Sequence, residues 1–136
     1  MIELMVAVAL VGVLASIAVP IYQGYVAKVQ VARAYSELSS YKALVEEWLT
    51  KGVGGVANSD LGYTRSNLTA VVSGNVATFS ADGSGYLEVT LGGDASTAIA
   101  GARLSVIRSS AGTWSCIVDG SGARAWKDSY LPSGCR

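Results

Sequence analysis

Glu3 is the residue whose position most invites a chemical role. It stands directly before Leu4–Ala27, a run without a single Asp, Glu, Lys or Arg in a chain that has no histidine at all. A carboxylate inside a membrane helix costs about 2.5–3.5 kcal/mol at the centre and less near an end. Such an acid calls for a charge partner. The plainer account is an acid placed in a first helical turn, where the helix dipole favours it.

The rest of the inventory is poor in catalysts. Without histidine the commonest acid–base side chain is missing. Glu46 and Glu47 are adjacent acids, and the helical pattern around them places both on a solvated side. No serine sits in a nucleophile elbow or a Ser-x-x-Lys arrangement. Gly52-Val53-Gly54-Gly55 follows a helical pattern rather than a strand, so it is no phosphate loop. Asp82-Gly83-Ser84-Gly85 reads as a hairpin turn in preference to a calcium loop. Asn67-Leu68-Thr69 fits a glycosylation sequon, which matters only where a secretory pathway reads it. The chain reads as a non-enzyme that needs no cofactor.

Cys116 and Cys135 are the two cysteines. Beside an export-type apolar segment, a lone pair points to one disulfide in an oxidising compartment; two unpaired thiols in a cytosolic domain are the alternative. Without histidine they cannot supply four zinc ligands, so no metal site is expected. Net charge is zero over 136 residues, but the last third is basic, with Arg103, Arg108, Arg124, Lys127 and Arg136 against Asp119 and Asp128. Arg124, Trp126 and Lys127 could together contact a phosphate and stack on a base. A Trp126 packed under the tail, with its bases solvated, is the blander reading.

Elements must position these residues. Leu4–Ala27 is long enough to span a bilayer, which takes roughly 20 apolar residues. It lacks the basic start of a signal peptide and continues without a stop into a helical pattern, so it reads as retained. Lys28 and Arg33 behind it would place the remainder in the cytoplasm by the positive-inside rule; the cysteine pair argues the reverse, and we follow the cysteines. Past Lys28 the pattern turns amphipathic, with Val31, Tyr35, Leu38, Tyr41, Val45 and Trp48 three or four apart. Arg33, Glu37, Glu47 and Lys51 lie opposite, and Glu47 and Lys51 form a favourable i,i+4 pair. One continuous helix to Lys51 is predicted, roughly 77 Å at 1.5 Å per residue, with a kink near residues 16–20 from Pro20 and a second breaker at Gly12. No globule of this size encloses such a helix.

Gly52 supplies the stop. Residues 53–75 read as an irregular connection. Strand-like alternation then appears at Val76–Ser80, Tyr86–Leu91, Arg103–Arg108 and Thr113–Val118, separated by turn residues. The expected fold is α+β. A long amino-terminal helix protrudes through its hydrophobic half (residues 1–27) and packs through its second half (28–51) on a four-stranded antiparallel sheet (76–118). A disulfide-closed loop (116–135) completes a globular head over 28–136.

Ile2-Glu3-Leu4-Met5, Val11-Gly12, Ala15 to Ala18, Pro20, Tyr22 and Tyr25 closely resemble the amino-terminal helix of type IV pilins, a motif that type II secretion pseudopilins share. The two-cysteine tail resembles the disulfide region of type IVa pilins. In the family the mature chain starts two residues earlier, with an N-methylated phenylalanine, so the sequence reads as a trimmed or re-initiated chain. The resemblance implies a structural subunit that waits in the inner membrane and then polymerises into a helical homopolymer, a pilus on the cell surface. It implies that Glu3 neutralises the amino-terminal amine of a neighbouring subunit. Gly12 to Pro20 maps onto the segment that can lose helix in filaments. The implied partners are the assembly machinery and, for the filament, host surfaces, DNA or phage, serving adhesion and twitching motility. A minor pilin, a pseudopilin or a filament-borne DNA- or glycan-binding module is the alternative.

Overall fold

The computed structural model describes residues 1–52 and 54–136; Val53, within the glycine-rich connection read from the sequence, lies outside them. Helix α1 spans Ile2–Ser39, 38 residues. It is assigned without interruption through Gly12 and Pro20. Residues 1–23 are all exposed, and the core begins at Ala27.

The single helix expected to reach Lys51 is in fact two. Helix α2 begins at Lys42 and runs to Thr50. The break has a local cause. Ser40 Oγ donates to the Glu37 carbonyl at 2.7 Å, and the Tyr41 amide reaches back three residues, to Leu38, at 3.3 Å. Serine side chains that compete for helix carbonyls disturb the regular ladder. Ser40 and Tyr41 keep right-handed backbone angles, so the break is a tightened turn. Past α2 the helix ends at Gly52, whose φ of 75° suits glycine.

The buried stripe is Ala27, Val31, Ala34 and Leu38 on α1 and Val45 on α2. It runs beside the aromatics that the periodicity placed at its centre: Tyr35, Tyr41 and Trp48 are half-buried at its margin. Small side chains along the stripe let the helix approach the sheet closely.

The sheet is an antiparallel meander in the order β1-β2-β3-β4. Its strands are β1 (Ala77–Phe79), β2 (Gly85–Thr90), β3 (Arg103–Arg108) and β4 (Trp114–Asp119). Register places Ala77, Leu87, Val106 and Cys116 in one row across all four strands, and each is at most 5% exposed. A second row joins Val89, Leu104 and Val118. Strand side chains alternate between faces, so both rows point to the helix. On the far face Ser105 donates to Glu88 at 2.8 Å. Both hairpins close as their turn residues predicted. Asp82 Oδ1 accepts from the Ser84 amide and hydroxyl at 3.0 and 2.6 Å, and the Ser109 amide donates to the Thr113 carbonyl at 2.9 Å. Residues 54–75 make turns with one isolated bridge, Thr69 to Leu91.

Glu46 corrects the sequence reading. Glu47 does face solvent and pairs with Lys51 at 2.7 Å, but Glu46, though partly exposed, reaches across to the last hairpin. Arg108 donates to both of its oxygens, from Nε at 2.8 Å and from Nη2 at 3.0 Å, and Trp114 Nε1 donates at 2.8 Å. The partners come from β3 and β4, more than sixty residues away, so helix periodicity carried no trace of them. The forked guanidinium matches a carboxylate in two bonds. The Arg108 bonds, joined by that from Trp114, hold the Glu46 carboxyl below the usual glutamate value of 4.5.

The tail is fixed at its far end. Cys116 and Cys135 form a disulfide with Cα atoms 4.5 Å apart. Beside it the Arg136 amide donates to the Cys116 carbonyl at 3.0 Å, and the Val118 amide to the Arg136 carbonyl at 2.7 Å. The chain end thus pairs with the exposed edge of β4 and covers it. A single 3-10 turn at Asp128–Tyr130 buries Tyr130 against the core.

Two predictions follow from this packing. A lowered folded pKa means that stabilisation by Glu46 is complete above the ordinary glutamate value and drains away as pH falls through it towards the lower folded value. The group is partly exposed, so Glu46→Gln should cost only about 1 kcal/mol at pH 7. Urea unfolding of both proteins at pH 7 and pH 3 should show the gap narrowing in acid; an equal gap at both values would contradict the role of the ionised pair. Cys116→Ser/Cys135→Ser should lose about 3 kcal/mol, the chain-entropy value for a loop of this size. Hydrogen exchange should then open residues 119–136 while β2 and β3 stay protected. A tail still protected in that variant would mean that burial of Tyr130 holds it unaided.

Candidate functional site

Two regions remain after the head's core is accounted for: the bare half of α1 and the surface of the tail. Among the described residues no three His, Cys, Asp or Glu side chains converge on a point.

Glu3 lies in the first turn of α1 with its side chain fully exposed. The amine of Met1 is 3.3 Å away, a solvent-exposed pair of the kind that contributes little. From Leu4 to Tyr25 large apolar side chains point outward on every side. Leu4, Val8 and Val11 are 70%, 65% and 65% exposed, and Tyr22 and Tyr25 are 68% and 66% exposed. An apolar surface that surrounds a helix suits a lipid environment or a packed bundle, and water least of all.

Gly12 sits where an added Cβ would meet nothing, so this chain alone gives no steric reason for glycine there. Pro20 has no amide proton and leaves the Ser16 carbonyl without its usual helical donor. The Ser16 hydroxyl meanwhile donates to the Val13 carbonyl at 2.6 Å. Within the stretch from Gly12 to Pro20 the helix thus lacks the one backbone bond that Pro20 cannot donate.

The tail does not gather its three singled-out residues into one exposed patch. Arg124 and Lys127 are exposed, while Trp126 is half-buried against the core. One face of its ring lies on Gly120, where a Cβ would run into the indole. Tyr130 meets it edge-on, with centroids 5.8 Å apart and planes at 88°. That ring packs; the flanking cations face solvent. Sequence reading missed the importance of Gly120. A glycine a few residues before a tryptophan, in a tail with few apolar residues, was the available signal.

A cleft of about 350 Å³ lies between α1 and the 63–69 segment. Arg33 there bonds Glu37 at 2.8 Å and Asn67 at 3.3 Å, so Asn67 of the sequon is tied to the helix. Burial pushes the Tyr63 phenol above its usual range.

Comparison with known proteins places this geometry. The pilin (bacterial filament) family matches residues 27–136. Fimbrial protein Q of Moraxella bovis is 40% identical, across 100% of this chain and 94% of the relative. A fimbrial protein of Pseudomonas aeruginosa is 38% identical, across 99% of this chain and 93% of its own length. The type IV major fimbrial protein FimA of Dichelobacter nodosus is 35% identical, across 100% and 94%. The match runs over 27–136 for the family and over nearly the whole of each chain for the relatives: this chain belongs to the pilin family, the structural subunits of bacterial filaments.

Proposed function

We propose that this pilin polymerises into a type IV pilus through residues 1–27, which form the filament core while residues 28–136 form the outward head. The observation that supports this most is the uncovered apolar surface of α1 from Leu4 to Tyr25. Exposing apolar area to water costs about 25 cal/mol per Å², so once outside the membrane that half-helix must pack against copies of itself along the whole polymer. Before assembly the same surface sits in the inner membrane, where it needs no protein partner.

In this reading Glu3 enters the core as a carboxylate and takes the amino-terminal amine of a neighbouring subunit as its partner. A charge buried without a partner is strongly unfavourable, so the pair selects the axial register of incoming subunits. The Gly12–Pro20 stretch, with a helix-poor glycine at one end and a proline that cannot donate at the other, is where the helix loses turns and lets the filament lengthen. The assembly machinery supplies the work of extraction from the membrane. The filament then serves adhesion to surfaces and twitching motility, with host surfaces, DNA or phage as what it meets. The packed Trp126 weighs against stacking on nucleic-acid bases, so DNA contact by this tail would rest on Arg124 and Lys127 alone and be weak and salt-dependent. A minor pilin or a secretion pseudopilin is the second reading; the disulfide-closed tail and the relatives named as major fimbrial proteins favour the major subunit.

Glu3→Ala should leave the head folded and the protein in the membrane while cell-surface filaments fall sharply, since an unpaired buried amine costs about 3–5 kcal/mol per subunit. Counting filaments by electron microscopy, beside immunoblots of membrane fractions, checks this. Normal piliation would remove the charge pair from the account. A chain of residues 28–136 should run as a soluble monomer on gel filtration, because the stripe from Val31 to Val45 is covered by the sheet; aggregation alone would show that the head needs the first half of α1.

A further inference from the structure

The place where the apolar half of α1 meets the head holds a cleft that filament assembly does not explain. It has a volume of about 410 Å³ and is lined by Gly24, Tyr25 and Lys28 from α1 and by Lys127, Ser129 and Tyr130 from the tail, among others. Two lysines from opposite ends of the chain thus face one space. Both are exposed, and neither appears in an ion pair among the described residues. Asp128, the acid of the same 3-10 turn, is not among the lining residues.

The depth of this cleft in a bilayer follows from length alone. Leu4 to Gly24 rises roughly 30 Å at 1.5 Å per residue, which is about the thickness of the hydrocarbon layer. With Glu3 at one edge of the hydrocarbon, Tyr25 and Lys28 lie at the other, among the head groups. Tyr22 and Tyr25, both about two-thirds exposed, are residues of the kind that gather at that level. Lysines there extend their charge to the lipid phosphates. The tail, tied down by the disulfide and by Tyr130, brings Lys127 to the same level.

We infer that the Lys28–Lys127 cleft seats the phosphate of an anionic phospholipid in the membrane-resident subunit and so sets the height and tilt of the head on the bilayer. This rests on the membrane residence proposed above. The site takes a lipid head group in preference to free phosphate, because Tyr25, Ile21 and Pro20 continue its lining into the apolar run, where acyl chains lie.

The full chain is reconstituted in phosphatidylcholine vesicles that carry a trace of a head-group photo-crosslinker on either phosphatidylglycerol or phosphatidylcholine. Flotation measures membrane residence, and mass spectrometry of the adducts measures the site. The protein should float with both lipids. The anionic probe should give several-fold more adduct at residues 20–28 and 127–130, falling roughly fivefold for each lysine removed in Lys28→Gln and Lys127→Gln. Lys28→Arg/Lys127→Arg should retain it, and inorganic phosphate should not compete at matched ionic strength. Equal adducts from the two probes in protein that floats would overturn the lipid site alone, as would adducts unchanged in Lys28→Gln/Lys127→Gln. Competition by free phosphate would overturn the lipid assignment. Protein that floats with neither lipid would overturn membrane residence and the site with it.

Discussion

The constraint on which the rest of the structure depends is an apolar surface that the chain cannot cover by itself. The helical stretch Ile2 to Thr50, 49 residues, contains a segment long and apolar enough to cross a membrane, and the head is too small to enclose it. Its outer half must therefore be solvated by lipid or by copies of itself. Both environments reward an unbroken apolar surface and penalise charge, and the one acid bordering it, Glu3, falls at its very edge. In the proposed assembly, folding of the head and building of the filament are separate problems solved on one helix. Ala27 marks the boundary, since it is the first residue buried by the chain's own core.

The head is built to hold the inner half of that helix rigidly. The Ala77–Leu87–Val106–Cys116 row gives the sheet an apolar ridge, and the small residues Ala27 and Ala34 let α1 settle on it. The bidentate Arg108–Glu46 pair, with Trp114, locks α2 to the last hairpin. The disulfide then brings the end of the chain onto β4, extending the same row by one more residue at Cys135.

Most of this was legible in the residues. Alternation located all four strands within a residue or two, because each strand has one face in the core and the other in water. The apolar run, its amphipathic continuation and the cysteine pair gave the architecture. Four features were not legible, each for a physical reason. The break at Ser40 depends on a hydroxyl competing for one carbonyl, which periodicity does not register. The reach of Glu46 to the last hairpin depends on Arg108 and Trp114, whose approach is a product of sheet register. The 54–75 segment is ordered by Asn58, which accepts from the Val76 amide at 2.8 Å and donates to the Gly74 carbonyl at 2.8 Å; from sequence that asparagine looks like any loop residue. For Trp126 the pairing with Gly120 decided between packing and presentation, a contact within the tail that composition could not rank.

The central claim is that the surface left bare on the isolated subunit is the one that builds the filament. Helical reconstruction of purified filaments by electron cryo-microscopy tests it most directly. The account predicts that the side chains of Leu4 to Tyr25 lie in a continuous core bundle, with Glu3 beside the amino terminus of an adjacent subunit and any loss of helix confined to the Gly12–Pro20 stretch. A filament held together by head-to-head contacts, with that half-helix facing solvent or lipid, would contradict it.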